Sequence, residues 1–389
     1  MFQALLNWDE DFDRIESGGS TSPYYDLYAS IGVCNLIIED VPGTTEATDT
    51  EKSEIIAYAK VLRTMKYYDA VNIYAQPYDE STAETTRGVP FITSASVGAS
   101  YPQTSLSSLY SFMTTQVEGV LEDGSLPSES LTILHPNKGA AYAFLARVYL
   151  TMGNYEKALY NSNLALAEND NLYDWVAFYN DNEAEIATWT NTKTLVSPMG
   201  YNYPESYNFA QYYNGSGRGE TTLLARADRF EDNDMKFKST YYEYTVGANT
   251  YYRSRLSGYF NHSGMKTVEV YLIKAECLAR KGEYGQAMDA LNEVRRTRIS
   301  PYTALSGSTE EECMSYIRQW KENELMYSVV PFADTRRLNK EVTYQKTFSK
   351  IVDGQTITLS PSSHMWTFPF PTGAVGFTSG GTIEQNVNK

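Results

Sequence analysis

Residues 268–298 carry the clearest structural signal in the chain and read VEVYLIKAECLARKGEYGQAMDALNEVRRTR. Apolar residues recur at helical spacing on both sides of a Gly-Glu-Tyr turn at 282–284, which predicts two helices joined in a hairpin. The stretch has no nucleophile motif, metal-ligand spacing or phosphate-binding loop. We therefore interpret the hairpin as a scaffold and expect the binding chemistry elsewhere in the chain.

The hairpin has an earlier relative at residues 139–168, GAAYAFLARVYLTMGNYEKALYNSNLALAE. Aligning Gly153 with Gly282, an offset of 129 residues (282 − 153), brings matching aromatic and small residues together. The matched pairs are Tyr142 and Tyr271, Ala146 and Ala275, Tyr155 and Tyr284, and Ala158 and Ala287. This pattern is typical of tetratricopeptide repeats, in which small residues at the helix crossings let paired helices approach closely. A looser copy at 51–78 has Ala59 at the small position but lacks the Gly turn.

Long irregular segments separate the repeats. Residues 171–262 are rich in Tyr, Asn, Gly and Ser, which predicts loops, short helices and short strands. Residues 341–389 read as extended, with a hairpin around Asp353 and Gly354. We predict a mainly α fold in a single domain, 1–389, with tetratricopeptide-like hairpins at about 25–78, 137–170 and 265–298 forming a right-handed scaffold, and minor β hairpins. The loop-rich insertion at 171–262 is where we expect ligand binding, because functional residues concentrate on irregular segments.

Composition restricts the possible partners. The 389 residues include 32 Lys and Arg against 48 Asp and Glu, and the net charge of −16 disfavours binding to nucleic acid or anionic lipid. The chain holds 33 Tyr, 15 Phe and 5 Trp, side chains that suit sugar stacking as well as cores. No apolar run approaches the roughly 20 residues that cross a bilayer, and the amino terminus shows no signal-peptide pattern.

The cysteines and histidines are few and widely spaced. Cys34 and Cys277 lie in apolar, helix-like runs, which predicts buried free thiols, and Cys313 stands alone. The three histidines are far apart in the sequence, which disfavours a His-rich metal site, and a calcium site at Asp232 and Asp234 would lack the EF-hand pattern. We predict no metal site and no cofactor.

Further groups of residues follow one another along the chain in a recognisable order. They are Tyr25, Leu27, Tyr28, Ile31 and Asn35; Ala59, Leu62 and Arg63; Val89 and Pro90; Glu324, Leu325, Asp334, Arg336 and Arg337; and Pro369, Pro371, Gln385 and Asn386. Together with the 268–298 hairpin, these motifs resemble the SusD/RagB family, the outer-membrane glycan-binding lipoproteins of Bacteroidetes. The resemblance runs from about Tyr25 to Asn388, whereas Ser328, Val329 and Thr335 depart from the family's pattern.

The resemblance implies a non-catalytic binding protein that faces outward from the outer membrane and hands an oligosaccharide to a SusC-like TonB-dependent transporter. Attachment to the membrane would come from a lipid-carrying cysteine that this sequence does not contain. Within the same family, capture of peptides by a RagB-like nutrient-uptake protein is an alternative. Outside the family, the repeats by themselves are compatible with a cytosolic tetratricopeptide scaffold.

Carboxylates leave an enzyme acting on glycans as a further alternative. Glu183 and Glu185, and a cluster of Asp228, Glu231, Asp232 and Asp234, supply the residue type that glycosidases use in pairs. Spacing in the sequence does not place two such groups across a sugar ring. A solvated or ion-paired face is the simpler interpretation of both clusters.

A sugar ring presents C–H faces and hydroxyl groups, so a glycan site needs flat aromatic rings beside amide, hydroxyl and guanidinium groups. Residues 201–213, YNYPESYNFAQYY, supply that mixture without a long apolar run. The predicted ligand-binding residues are Trp189, Tyr201, Tyr203, Tyr207, Tyr212 and Tyr213, with Tyr74 and Tyr78 as a second edge. The alternative role for each tyrosine is to pack the insertion onto the helices.

Overall fold

The computed structural model describes residues 4–5, 7–17, 23–96, 101–190, 195–211, 221–223, 228–247, 249–352, 354–376 and 383–387. The chain divides into two compact units. The first unit comprises 1–127, 151–153 and 329–389, and the second unit comprises 128–150 and 154–328. The single domain expected from the sequence stays a prediction.

Helices dominate the described residues, so the predicted mainly α fold is confirmed. The α-helices are α1 (Arg14–Ser17), α2 (Pro23–Asp40), α3 (Asp49–Tyr74), α4 (Leu106–Glu122), α5 (Lys138–Thr151), α6 (Tyr155–Glu168), α7 (Trp175–Ala187), α8 (Met235–Thr240), α9 (Thr267–Arg280), α10 (Tyr284–Arg296), α11 (Glu310–Glu324), α12 (Val330–Leu338) and α13 (Thr372–Gly376). Single 3₁₀ turns lie at Val41–Gly43, Val342–Tyr344 and His364–Trp366.

The strands are short and pair within their own unit. They are β1 (Arg87–Pro90), β2 (Gln103–Ser105), β3 (Leu195–Val196), β4 (Thr221–Leu223), β5 (Tyr241–Val246), β6 (Asn249–Ser254), β7 (Leu256–Ser257), β8 (Phe348–Val352) and β9 (Gln355–Leu359). In the second unit, β6 lies between β4 and β5 in an antiparallel sheet, and β3 pairs with β7 in parallel. In the first unit, β1 pairs with β2 and β8 pairs with β9, both antiparallel.

The two hairpins predicted from the repeat are both present, as α5–α6 and α9–α10. Their turns contain Gly153 at φ +77° and Gly282 at φ +79°, a left-handed conformation that strains any residue with a Cβ atom. Ala275 and Ala287 are fully buried, as expected for small residues where helices cross. The repeat pattern therefore reports helix pairing correctly.

Packing of α9 organises the second unit. This helix lies against α10, α6 and α11. The Arg147 guanidinium of α5 donates to both carboxylate oxygens of Glu269 on α9, at 2.6 and 2.7 Å, and both side chains are buried. A bidentate pair of this kind fixes the orientation of the two helices as well as their contact.

The looser repeat copy predicted at 51–78 does not form a hairpin by itself. Most of it belongs to α3, one continuous helix of 26 residues that begins at a capping box between Thr48 and Glu51. Without a Gly turn, nothing in this stretch interrupts the helix. The partner of α3 is instead α2, and the turn between them contains Pro42.

Residues of the family-like motifs hold the first unit together. Arg63 on α3 donates to the Asn35 side chain on α2 at 2.6 Å. Arg336 on α12 donates to the backbone carbonyls of Asn72 and Ala75, at the end of α3. The Asn386 side chain donates to carbonyls of the same region. These motif residues therefore act as structural ties.

The predicted hairpin near residue 353 is confirmed by the pairing of β8 with β9, which ends at Val352 and Gln355. Gly354 has φ +76°, and Asp353 lies outside the described residues. Cys34, Cys277 and Cys313 are buried free thiols, as predicted for the first two. Within the described part of the chain, no helix is both long enough and apolar enough to cross a membrane.

Candidate functional site

The predicted insertion, 171–262, is folded around its own small core in the second unit. Trp175, Leu195, Leu256 and Phe260 are buried against one another. Trp175 starts α7, and its backbone N–H donates to the carbonyl of Thr297 just after α10, at 2.9 Å. The insertion is therefore anchored where the second hairpin ends.

Four charged side chains bind the insertion to the helices, and we call them the charged network: Glu205, Lys236, Arg298 and Glu324. Arg298 is completely buried and pairs with Glu205 at 2.6 Å and with Glu324 at 3.2 Å. Lys236 forms a further pair with Glu324. Burial alone would raise the pKa of Glu324, but the two cations outweigh it and lower the pKa to about 2. Glu324 is therefore ionised, and the network places two basic side chains against two acidic ones.

A cavity of about 60 Å³ lies beside the charged network. Its lining includes Glu205, Thr240 and Asn323, and each has a buried oxygen with no hydrogen-bond partner among the described residues. Ligand pockets for small molecules have volumes of roughly 300–1,000 Å³. This cavity suits water or one small polar group rather than a sugar ring.

The surface of the insertion offers a better binding geometry. The segments 195–201 and 255–259 start with the parallel pairing of β3 and β7, in which Leu195 lies opposite Leu256. Aromatic side chains cluster at both ends of these segments. We call the two segments and the aromatic side chains at their ends the aromatic ribbon. Arg255 and Tyr259 mark its ends, and their Cα atoms are at most about 14 Å apart, since Tyr259 is four positions further along the chain.

Two exposed tyrosines form one end of the aromatic ribbon. The rings of Tyr201 and Tyr259 are 4.8 Å apart and tilted by 32°, with 45% and 55% of each residue exposed. Phe209 supports Tyr201 from the buried side at 4.7 Å. Gly258, at φ +109°, supplies the backbone bend just before Tyr259. Large open rings in fixed positions are suited to stacking on a flat, partly apolar ligand.

The other end combines aromatic rings with arginines. The ring of Trp189 is 5.8 Å from that of Tyr242 on β5. The Arg255 guanidinium lies 5.2 Å from the Trp189 ring and 5.7 Å from the Tyr242 ring. Tyr244 follows two residues later on the same face of the strand, with the Arg253 guanidinium 5.1 Å from its ring. Such cation–π contacts hold the rings in place.

The structure brings two of the predicted ligand-binding residues, Tyr201 and Trp189, into the aromatic ribbon. Tyr203 and Tyr207, from the same predicted segment, are buried. The Tyr203 hydroxyl accepts a hydrogen bond from the Trp175 indole at 3.3 Å, and the Tyr207 hydroxyl donates to the Asn169 carbonyl at 2.7 Å. These two side chains pack the insertion onto the helices, and their rings have no open face for a ligand.

The remaining predicted ligand-binding residues lie elsewhere. Tyr74 is buried in the first unit, where its ring stacks on Phe370 at 5.9 Å. Tyr78 is half-buried in the first unit, with its ring 4.7 Å from that of Tyr110. Tyr212 and Tyr213 lie outside the described residues. Of these four, burial leaves Tyr74 without a ring face for a ligand.

Sequence reasoning missed Tyr259, Tyr242, Tyr244 and Arg255. A signal for two of them was present, because YYEYTV at 241–246 places tyrosines at alternate positions of a strand. Nothing local marks Tyr259, whose partner Tyr201 is far away in sequence. Alternating tyrosines in a strand can be recognised in the sequence as residues on one face. Contacts between distant segments, such as Tyr201 with Tyr259, are visible only in the tertiary structure.

The carboxylate clusters serve structural roles where contacts define them. Glu231 pairs with Arg295 at 2.7 Å and accepts a hydrogen bond from the Trp320 indole at 3.2 Å. Asp234 caps α8 by accepting the Phe237 backbone N–H at 2.9 Å. Glu183 and Glu185 are exposed on α7. Ion pairing and helix capping account for Glu231 and Asp234 without catalysis.

Solved structures share this fold. A SusD superfamily protein from Bacteroides thetaiotaomicron has a TM-score of 0.70 at 19% identity, covering 94% of this chain and 85% of its own. A SusD superfamily protein from Parabacteroides distasonis has a TM-score of 0.69 at 17% identity, with coverages of 99% and 88%. A SusD-like carbohydrate binding protein from Bacteroides vulgatus has a TM-score of 0.66 at 18% identity, with coverages of 90% and 81%. No curated protein matches the sequence significantly.

Family models match the sequence itself. A model described as starch-binding associating with outer membrane matches residues 2–150. A model described as SusD family matches residues 146–374, which is 229 of the 389 residues (374 − 146 + 1). The second match begins within α5 and spans the rest of the first hairpin, the whole second hairpin, the insertion and the charged network. The order of motifs, the hairpin scaffold and these matches agree that the chain belongs to the SusD family.

Proposed function

We propose that this protein binds glycans at the aromatic ribbon, without chemical turnover, and passes them to a SusC-like TonB-dependent transporter at the outer membrane. Membership of the SusD family supports this proposal, as does the description of the model that matches residues 2–150. One relative with the same fold is described as a carbohydrate binding protein. Attachment to the outward-facing surface and the transporter partner are part of the proposal.

The observation that carries the proposal is the exposed pair of Tyr201 and Tyr259. The two rings lie next to each other and are about half exposed, so they form one open apolar surface, and Phe209 holds the pair from behind. Rings at both ends of the aromatic ribbon let an oligosaccharide stack at two points. Two-point stacking favours an extended ligand over a single sugar, since the second contact adds little further cost in orientation.

Isothermal titration calorimetry of the full chain against a panel of oligosaccharides tests the proposal. We expect Tyr201→Ala and Tyr259→Ala each to weaken binding by about tenfold, because removal of a central aromatic contact costs more than 1 kcal/mol. Tyr160→Ala is the matched control: Tyr160 is 63% exposed on α6 and is not part of the ribbon. Its removal should leave the affinity unchanged.

Three results would count against the proposal. If no glycan in the panel binds, the proposed glycan-binding function is wrong. If Tyr160→Ala and Tyr259→Ala lose the same amount of affinity, the aromatic ribbon is not the binding site. Released sugar products during incubation would show an enzyme. Co-expression with a SusC-like transporter from the same organism, followed by affinity purification, tests the transporter partner, and a transporter that does not co-purify would contradict it.

Peptide capture remains the alternative within the family. Competition between oligosaccharides and unstructured peptides for the same protein separates the two ligand classes. A peptide that binds and is weakened by Tyr259→Ala, while no sugar binds, would assign the aromatic ribbon to peptides.

A further inference from the structure

One arginine of the second unit differs from the other buried arginines around it. Arg147, Arg295 and Arg298 each pair with a glutamate, at 2.6, 2.7 and 2.6 Å respectively. Arg255 is also buried, with 7% of its surface exposed, but no carboxylate among the described residues pairs with it. Its Nη2 donates to the Tyr241 carbonyl, and its buried Nε has no hydrogen-bond partner there.

A buried guanidinium without a counter-charge carries a desolvation cost that two ring faces and one carbonyl offset only in part. Burial lowers the pKa of Arg255 to about 10, which is the direction expected when the charged form is disfavoured. The side chain nevertheless stays a cation at neutral pH. An anionic group placed here would supply the missing counter-charge.

The cation belongs to the aromatic ribbon itself. Its guanidinium touches the rings of both Trp189 and Tyr242. Arg253 lies directly opposite Tyr242 in the sheet, so its side chain is on the same face as that ring and Tyr244. Two cations and three aromatic rings therefore occupy this end of the ribbon, in a chain whose net charge is −16.

We propose that the glycan bound at the aromatic ribbon is acidic, with a carboxylate or sulfate group on the sugar residue that contacts Trp189 and Arg255. This inference rests on the proposed function and narrows its ligand to anionic sugars. A carboxylate or sulfate oxygen accepts charge-assisted hydrogen bonds from a guanidinium, while the C–H face of the same sugar stacks on the indole. A neutral sugar makes the stacking contact but leaves the cation without a counter-charge.

Pairs of ligands that differ only in charge test the proposal. Calorimetry of the full chain would compare oligogalacturonates and oligomannuronates with their methyl esters, and chondroitin sulfate oligosaccharides with unsulfated chondroitin. The ester pairs isolate the sugar carboxylate, and the chondroitin pair isolates the sulfate. In at least one pair, we expect the charged member to bind at least about tenfold more tightly, in the range of a charge-assisted hydrogen bond. Its affinity should fall as salt is added.

Arginine variants locate the effect. Arg255→Gln should bring the affinity ratio of the charged to the neutral member close to one, and Arg253→Gln should reduce the ratio. Arg296→Gln is the control, because it makes the same change in net charge at an exposed position paired with Glu293. This control should keep the full ratio. Thermal melting checks the fold of each variant, and Arg253→Gln keeps the test valid where Arg255→Gln does not fold.

Each remaining result separates this inference from the function on which it rests. Equal binding of the two members in every pair, or binding of neutral glycans alone, overturns the acidic ligand and leaves glycan binding intact. Absence of binding to every glycan, charged or neutral, overturns both. Binding of oligoglutamate peptides, with no sugar binding, would assign the cation to acidic peptides and also overturn the inference.

Discussion

The charged network and the aromatic ribbon belong to the same unit, yet their arginines have opposite surroundings. Arg298 in the network is completely buried and forms ion pairs with Glu205 and Glu324. Arg255 in the ribbon is also buried but contacts rings and one carbonyl, with no paired carboxylate among the described residues. The charge of Arg298 is compensated within the protein, whereas the charge of Arg255 is not and can still pair with an anionic group.

This difference separates residues that hold the fold from residues available to a ligand. A buried ion pair is costly to break, because the partner left behind stays buried and charged. Exposed aromatic residues contribute little to stability but can gain contacts from a ligand, and the buried Arg255 carries a charge that no carboxylate among the described residues neutralises. Substitutions in the charged network and the hairpins should therefore alter stability, and substitutions of the exposed Tyr201 and Tyr259 should alter binding.

The largest effect is expected for Arg298→Met. This change leaves Glu205 and Glu324 buried with less counter-charge, and we expect the free energy of unfolding to fall by about 3–5 kcal/mol. Chemical denaturation with urea measures it. The matched control is Arg296→Met, two residues earlier, whose pair with Glu293 is exposed and should contribute little. Similar losses for the two variants would contradict the contrast.

A smaller effect concerns Asp234, which caps α8 beside the charged network. Burial raises the pKa of Asp234 from 3.8 to about 7, so the folded state binds a proton that the unfolded state has released between about pH 4 and 7. The stability that this proton contributes is present at low pH and is lost as the pH rises through 7. Asp234→Asn keeps the helix cap and should remove this loss, about 3–4 kcal/mol between pH 4 and 8.

Thermal melting of the wild type and Asp234→Asn from pH 4 to pH 8 measures the difference. The other carboxylates titrate in both proteins, so only the gap between the two curves is informative. The gap should widen as the pH rises. Parallel curves would show that Asp234 is ionised throughout and that the cap outweighs its burial.

The hairpin turn provides the next contrast. Gly282→Ala should lower the free energy of unfolding by about 1–2 kcal/mol, because a Cβ atom is strained at φ +79°. No atom among the described residues lies near the added Cβ, so the cost comes from the backbone alone. Gly285→Ala, three residues later inside α10 and equally open, should be neutral or stabilising. Equal urea midpoints for both variants would contradict this account.

The smallest effect on stability is expected in the aromatic ribbon. Tyr201→Ala and Tyr259→Ala should change the free energy of unfolding by no more than about 0.5 kcal/mol, the usual range for surface positions. Urea denaturation on the samples used for calorimetry makes the comparison direct. A decrease of several kcal/mol in the free energy of unfolding would show that these tyrosines hold the insertion together and have a structural role.

The sequence predicted the scaffold well because short stretches of sequence contain the residues that pair two helices in a hairpin. A tight turn requires a glycine at 282, and close helix crossings require small residues at 275 and 287. The first hairpin has the same residue types 129 positions earlier. The prediction failed at 51–78, where matching Ala59 without the Gly turn was not enough to define a hairpin. A helix continues until a helix-breaking residue ends it, and residues 51–74 contain neither glycine nor proline.

The candidate site was predicted only in part. The segment 201–213 is rich in tyrosine, but the sequence does not distinguish Tyr201, which is exposed, from Tyr203 and Tyr207, which are buried. Neighbouring tyrosines in an irregular segment have no fixed period, so their directions depend on the core against which they fold. Burial had to be read from the structure.

By itself, the sequence determined the helical hairpins, their relationship and the family, since each depends on short-range patterns and on the order of motifs. The tertiary structure decided which rings meet and which charges are compensated. Tyr201 and Tyr259 are 58 residues apart (259 − 201), and only the parallel segments of the ribbon bring them together. Likewise, a lone Arg255 in the sequence looks like Arg298, and only the folded chain shows that one has its glutamates and the other does not.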